Sequence, residues 1–369
     1  MVSRADNELD VVDLLRRMVE REASDLHMKA GAPPVLRIHG GLVPEELPKL
    51  TAETMESALS QIATREQQEV FAREKELDFA VSAHGIGRFR VNAALQRGSI
   101  ALAFRLVRWE IPTLEELGLP EVCRSLVVKP RGLVLVTGPT GTGKSTTLAA
   151  MIDYLNERER RHIVTIEDPI EFVHQDKQCL ISQRELGGDT RSFAAALKHV
   201  LRRDPDVILV GEMRDLETIA LALTAAETGH LVLATLHTPS AAQTIDRIID
   251  SFPPYQQQQV KLQLSTVLEA VLCQTLVPRA DGTGRVAAVE VMVATSAVRN
   301  LIREGKTFQI PNVIQSGSQY GMQSMDQALA DLCRRNVITH DEALARAASP
   351  EELERLLAAG VGPELRTAT

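Results

Sequence analysis

The sequence predicts an α/β chain built around a parallel sheet, with a small α+β domain in front of it. Three observations carry that prediction. The chain is 369 residues long, more than one small core needs and enough for two or three domains. From Gly132 onward, short β-branched-rich runs (Leu133–Val136, Ile163–Ile166, Val207–Val210 and Leu231–Leu233) alternate with helical patterns. Strands covered on both faces and joined by crossover helices read that way. The first hundred residues have another rhythm, of short alternating runs broken by glycine and proline, which suits an antiparallel sheet.

Composition narrows the class. Hydrophobic residues make up 44% and charged residues 24%, ordinary globular values that exclude a mostly disordered chain. No apolar run approaches the roughly 20 residues that span a bilayer, and the start MVSRADNELD has no apolar core of a signal peptide. The expectation is a protein neither secreted nor integral to a membrane. Acidic residues outnumber basic ones by 49 to 41, a net charge of −8, and aromatics are 3%. Both count against nucleic acid as the partner, because phosphate backbones are repelled and bases find few rings to stack on. Cys123, Cys179, Cys273 and Cys333 are scattered and never form C-x-x-C, so they read as reduced thiols without a zinc site or disulfide frame.

The elements follow in order. Val11, Val12, Leu14, Leu15, Met18 and Val19 recur at helical spacing. Asp25 to Leu42, interrupted by Gly31, Pro33, Pro34 and Gly40-Gly41, reads as short strands and turns. Two helical patterns run from Thr51 to about Arg73, and Glu76–Ser82, Arg88–Leu95 and Ile100–Val107 form a meander. These place a first domain at 1–108, a linker at 109–122 beginning with Trp109, and a second domain at 123–369. In that domain Asp215 caps a helix that Gly229 terminates, and Arg285–Val293 is strand-like. The tail, about 296–360, is a helical bundle.

The chemistry is concentrated in Gly138-Pro139-Thr140-Gly141-Thr142-Gly143-Lys144-Ser145, which fits G-x-x-x-x-G-K-[ST] between an apolar strand and a helix. Glycines let backbone N–H groups turn inward around phosphates, the helix N-terminus adds partial positive charge, Lys144 reaches the β- and γ-phosphates, and Ser145, followed by Thr146, can ligate Mg²⁺. Carboxylates must face the phosphates. Asp206-Val207-Ile208-Leu209-Val210-Gly211-Glu212 is an apolar strand ending in an acid, a Walker B pattern in which Glu212 reaches Mg²⁺ through water. Glu167-Asp168-Pro169-Ile170-Glu171 follows another strand, where ligands bind in parallel sheets, and one of its acids is placed to polarise the attacking water. His230 and His237 bracket the strand Leu231–Thr235. A histidine there suits sensing of the γ-phosphate and suits a structural cap equally well.

These elements together resemble the secretion-type AAA+-related ATPases (the PilT/GspE type) and, within them, the PilT-type pilus retraction ATPases. The resemblance covers nearly the whole chain. ASDLHMKAGAPP, the P-loop, TIEDPIEFVH (an acidic box), DPDVILVGEMRD (Walker B) and TGHLVLATLHT (a histidine box) occur in family order. Ala297-Val298-Arg299-Asn300-Leu301-Ile302-Arg303-Glu304 looks like the AIRNLIRE segment that marks retraction ATPases, with Val298 for isoleucine. By periodicity that segment is an amphipathic helix with Val298, Leu301 and Ile302 inward and Arg299, Arg303 and Glu304 solvated.

The resemblance implies a PAS-like N-terminal domain, a RecA-like ATPase domain, and ATP and Mg²⁺ as cofactors. It makes Glu171 the general base, with Glu212 as the next candidate, and puts Ser145 and Glu212 on the metal and His230 and His237 in the histidine box. Arg90 and Arg105 match arginines set against a neighbouring subunit's ATP. It further implies a cytoplasmic homohexamer, peripheral at the inner face of the inner membrane, that acts on a PilC-type platform protein to drive twitching motility. Ala234, Ser182 and Gly187-Gly188 depart from the family pattern, and none is a catalytic position. The alternatives are a retraction paralogue, a pilus-assembly or type II secretion ATPase, and a nucleic-acid-translocating RecA-like motor. The assembly and secretion ATPases usually add an N-terminal domain and a tetracysteine zinc insert. A non-hydrolysing regulator would have no need of Lys144, Glu171 and Glu212 together.

Overall fold

The computed structural model describes residues 9–107 and 110–359. Trp109, where the expected linker begins, and the tail beyond 359 lie outside the described residues. The chain divides into two compact units, one running to Glu110 and including Glu171–Val173, the other comprising Ile111–Ile170 and His174 onward.

The first unit is an antiparallel sheet with helices on one face. Its strands are β1 (Asp25–Lys29), β2 (Val35–Ile38), β3 (Gly41–Pro44), β4 (Glu76–Ala83), β5 (Gly87–Gln96) and β6 (Ser99–Leu106), in the order β3-β2-β1-β6-β5-β4. The helices are α1 (Val11–Glu20), α2 (Ala52–Ile62) and α3 (Arg65–Glu74). Each begins where a side chain satisfies an orphan N–H: Asp10 accepts from Val12, Thr51 from Thr54, and Thr64 with Gln67 forms a capping box. The period-2 alternation of β5 sends Phe89, Val91 and Ala93 into a core with Leu15, Met18 and Phe104. The same alternation turns Arg90 outward.

The second unit holds a seven-stranded sheet in the order β13-β12-β7-β11-β10-β8-β9. Its strands are β7 (Gly132–Thr137), β8 (His162–Glu167), β9 (Leu180–Glu185), β10 (Val207–Val210), β11 (Leu231–Leu236), β12 (Leu268–Pro278) and β13 (Arg285–Val293). All pairings are parallel except β12 with β13. Every residue of β7, β10 and β11 is buried, which is why those runs carry no polar alternation. On one face lie α4 (Val122–Val127) and α5 (Lys144–Asn156). On the other lie α6 (Phe193–Val200), α7 (Leu216–Glu227), α8 (Ala241–Asp250), α9 (Pro254–Val267) and α10 (Ser296–Glu304). The tail continues with α11 (Ile310–Ser316), α12 (Met325–Arg334), α13 (His340–Leu344) and α14 (Pro350–Ala359). Asp215 caps α7 by accepting from the Thr218 N–H, and Gly229 follows its end at φ +111°.

Two strands carry little sequence signal. β9 is an edge strand with Ser182, Gln183 and Arg184 in its middle. β12 begins at Leu268, directly after α9 ends at Val267, with no glycine or proline between them.

The structure corrects the expectation that Arg299 on α10 is solvated. Its guanidinium is half-buried and donates from Nη1 to the Ser265 and Thr266 carbonyls (2.9 and 2.7 Å), from Nε to the Ala294 carbonyl (2.8 Å), and from Nη2 to Glu269 Oε1 (2.9 Å). Ser265 and Thr266 end α9, so Arg299 satisfies carbonyls that a helix C-terminus leaves without partners. Arg303 and Glu304 are exposed, as the periodicity requires. Arg299→Ala leaves those carbonyls unmet and removes one cation from Glu269, which keeps Lys129 Nζ at 2.8 Å, a loss on the order of 2–3 kcal/mol. At about 2–4 °C per kcal/mol for a unit of this size, the melting temperature should fall by roughly 5–10 °C. Arg303→Ala should melt within about 2 °C of the parent. Equal melting temperatures for the two variants would show that the Arg299 cluster does not stabilise the fold.

Candidate nucleotide-binding site

In a parallel sheet all C-terminal strand ends emerge at one edge. Here the end of β7 continues into the P-loop, β11 into His237, β10 into Gly211-Glu212 and β8 into Glu167-Asp168. These four strands lie side by side in the order β7-β11-β10-β8. The helix after β7, α5, packs on one face with Leu148, Met151 and Ile152; the helix after β11, α8, packs on the other with Ile245 and Ile248. Neighbouring strands whose helices leave to opposite faces form the crevice in which such sheets bind ligands.

The loop is shaped by its glycines. Gly138 has φ +133° and Gly143 φ +87°, and a Cβ on Gly138 would stand 2.3 Å from the Gln274 carbonyl oxygen. Gly143 caps α5 without a side chain, so the first N–H groups of that helix face the loop's concavity. Thr142 Oγ1 donates to the Pro139 carbonyl (2.9 Å). Lys144 is buried, and its Nζ donates to the Gly138 and Pro139 carbonyls (2.8 and 2.9 Å). Ser145 and Thr146 are half-buried on the first turn of α5.

Gly211 places the Walker B acid. Its N–H donates to the Ile166 carbonyl (2.7 Å), its own carbonyl accepts from Thr235 Oγ1 (2.5 Å), and a Cβ there would crowd the Ile166 carbonyl oxygen and Glu167 Cα. Glu212 then lies with Oε1 2.7 Å from Arg214 Nε and 3.0 Å from His237 Nε2. Burial pushes its carboxyl up, but hydrogen bonds from Arg214 and His237 outweigh burial and hold it below the usual glutamate value. An ionised glutamate and the Ser145 hydroxyl are hard oxygen donors of the kind Mg²⁺ takes beside substrate phosphates, so the residues fit that ion. Glu167 Oε1 accepts from Thr165 Oγ1 (2.6 Å) and Gln183 Nε2 (3.1 Å). Glu171 is exposed and is grouped with the first unit.

The two histidines separate. His237 joins Glu212, while His230 precedes β11 at the opposite end, about 20 Å away for a six-residue strand. The His230 Nδ1 lies 2.8 Å from the Ala225 carbonyl and 3.2 Å from Thr228 Oγ1, at the C-terminus of α7. Within one chain His230 is a structural cap. Arg90 and Arg105 belong to the first unit, directly opposite each other on β5 and β6. Asp25, opposite Arg105 on β1, accepts from its Nε (2.8 Å).

The structure adds a cavity of about 530 Å³ beside the loop, lined by Gly143, Thr146, Thr147, Gln274, Leu276 and Arg279 among others. Sequence reasoning missed this cavity, Arg214 and Gln274. Arg214 could have been found from its place two residues past Glu212; Gln274 has no local signal.

Comparison with known proteins gives the family. Residues 10–331 match the family described as type II/IV secretion system protein. The type IV pilus retraction ATPase PilT of Pseudomonas aeruginosa is 50% identical over 343 residues, 93% of this chain and 99% of the relative. The type IV pilus ATPase PilU of the same species is 45% identical, covering 94% and 91%. A crystal structure of the pilus retraction motor PilT with bound ADP superposes with a TM-score of 0.86 at 46% identity, covering 94% of this chain and all of that one. This chain belongs to the type II/IV secretion system protein family.

Proposed function

We propose that this chain is an ATP-hydrolysing motor that powers type IV pilus retraction. The observation that carries it is the row of strand ends that sets the P-loop, His237 and Glu212 side by side, in a chain that matches a pilus retraction ATPase over nearly its full length. The polyphosphate would sit on the N-terminus of α5, with Lys144 exchanging the Gly138 and Pro139 carbonyls for β- and γ-phosphate oxygens. The nucleoside end would enter the 530 Å³ cavity, whose size suits it. When bound, Mg²⁺ would neutralise charge developing on the phosphates. Ser145 and Glu212 would hold it.

In this assignment Glu171 takes a proton from the attacking water as the γ-phosphoryl group leaves ADP. His237, bonded to Glu212, would register the γ-phosphate. The first unit, read as PAS-like, would offer Arg90 and Arg105 to the ATP of the next subunit in a homohexamer. Relative rotation of the PAS-like and RecA-like parts would then be transmitted to a PilC-type platform protein at the cytoplasmic face of the inner membrane. Among the described residues no helix is long and apolar enough to cross a membrane, which fits a peripheral attachment.

The test separates the two carboxylates. Glu171→Gln should bind Mg·ATP like the parent and lose at least about 10²-fold in turnover, the typical share of a general base. Substantial hydrolysis by that variant would move the role to Glu212.

A further inference from the structure

We propose that Gln274 is a positioning residue for the P-loop, aiming one of its backbone N–H groups at phosphate. The proposal rests on the nucleotide-binding role of that loop. β12 pairs with β7 as far as Cys273 opposite Thr137, so Gln274 is the first β12 residue beyond the point where β7 turns into the loop. It touches both ends of that loop. Its backbone oxygen lies where a Gly138 side chain would be, and its Nε2 would stand 3.2 Å from a Cβ on Gly143. Nε2 donates to the Thr142 carbonyl at 2.5 Å, and the side chain is 1% exposed.

The consequence follows from peptide geometry. In a trans peptide the carbonyl of one residue and the N–H of the next point in opposite directions. Holding the Thr142 carbonyl toward β12 turns the Gly143 N–H away from β12, into the loop. The peptide between Thr142 and Gly143 is free to flip, because Gly143 adopts φ of either sign without strain. A flipped peptide removes one donor from the phosphate cradle. The amide of Gln274 opposes the flip by giving the carbonyl a donor on the β12 side.

The other end of the amide argues that this is not mere packing. Among the described residues, the Gln274 Oε1 is buried and has no hydrogen-bond partner. An unmet buried acceptor destabilises a fold, so packing alone does not call for an amide here. Flipping the amide would not help, since Oε1 would then face the Thr142 carbonyl oxygen. The donor at Nε2 is what the position requires.

Gln274→Met keeps the volume and removes the donor. In the full-length chain its nucleotide-free melting temperature should stay within about 2 °C of the parent's, because relief of the unmet Oε1 offsets loss of the donor to the buried Thr142 carbonyl. ADP affinity, read by calorimetric titration, should fall about ten- to hundredfold, the range for one hydrogen bond to a charged group. The rise in melting temperature on adding ADP should shrink with it. Gln274→Leu is a second variant read the same way. Parental ADP affinity in either folded variant overturns the proposal. So does a lower nucleotide-free melting temperature with an undiminished ADP-induced rise, which would make Gln274 architectural. Lys144→Ala is the control for the underlying reading: if it too binds ADP like the parent, the P-loop reading fails, and the role of Gln274 with it.

Discussion

Lys144→Ala should hydrolyse no measurable ATP and bind nucleotide far more weakly than the parent. Lys144 Nζ lies 2.8 and 2.9 Å from the Gly138 and Pro139 carbonyls, inside a loop built around uncapped N–H groups. The cation is therefore already placed, and little reorganisation separates this arrangement from one in which phosphate oxygens replace the carbonyls. Preorganised charge of this kind is worth a great deal at phosphate, because charge spreads over the transferred group in the transition state. Losing one such donor typically removes about 10²–10³ in kcat. Lys144→Ala also loses uniform binding, so KM should rise as kcat falls. Steady-state phosphate release measures the first effect. In a piliated host lacking its own retraction motor, the parent chain should restore twitching and Lys144→Ala should not. Turnover at the parental rate in Lys144→Ala would remove the proposed site.

The other large effect concerns Arg90. It lies on the outward face of β5, directly opposite Arg105 of β6. Like charges directly opposite one another destabilise a sheet unless something neutralises them. Asp25 does this for Arg105, at 2.8 Å, and also lies 3.8 Å from Arg37. Arg90 has no ion-pair partner among the described residues. Its guanidinium is thus available to an anion from outside the first unit. If that anion is the ATP of a neighbouring subunit, the arginine acts in trans, and such a residue can be worth about 10³–10⁵ in rate.

Arg90→Ala and Lys144→Ala should then each be nearly inactive as homogeneous assemblies. Mixed before assembly they should regain activity, because a Lys144→Ala subunit still offers Arg90 to a neighbour whose P-loop is intact. An arginine acting in cis gives no such rescue, since neither chain then holds a complete site. The measurement is phosphate release against the mixing ratio, with nucleotide occupancy followed in parallel. Normal hydrolysis by Arg90→Ala alone would falsify the role outright.

Much of this was legible in the residues themselves. A P-loop is local: its glycines, its lysine and the helix it opens are adjacent in the chain, and the backbone angles they permit shape the cradle. The runs that became β7, β8, β10 and β11 were equally plain, because strands buried on both faces must be apolar throughout. The meander Glu76–Ser82, Arg88–Leu95 and Ile100–Val107 corresponds to β4, β5 and β6, since alternation records which face meets a core. The inward stripe of α10 was visible for the same reason.

Only the tertiary structure decided which polar residues meet. His230 and His237 bracket one strand and are alike in sequence; the direction of β11 separates them, because a parallel sheet gathers its C-terminal ends at one edge and sends the other ends away. Arg299 reads as a solvated residue until the end of α9 and the start of β12 are brought around it, from 30 to 34 residues away in the chain. Gln274 lies 132 residues from Thr142, and no spacing rule joins them. Periodicity reports the burial of apolar faces, which each segment expresses alone. A hydrogen bond between distant segments needs both in register, and the packing of the whole core sets that register.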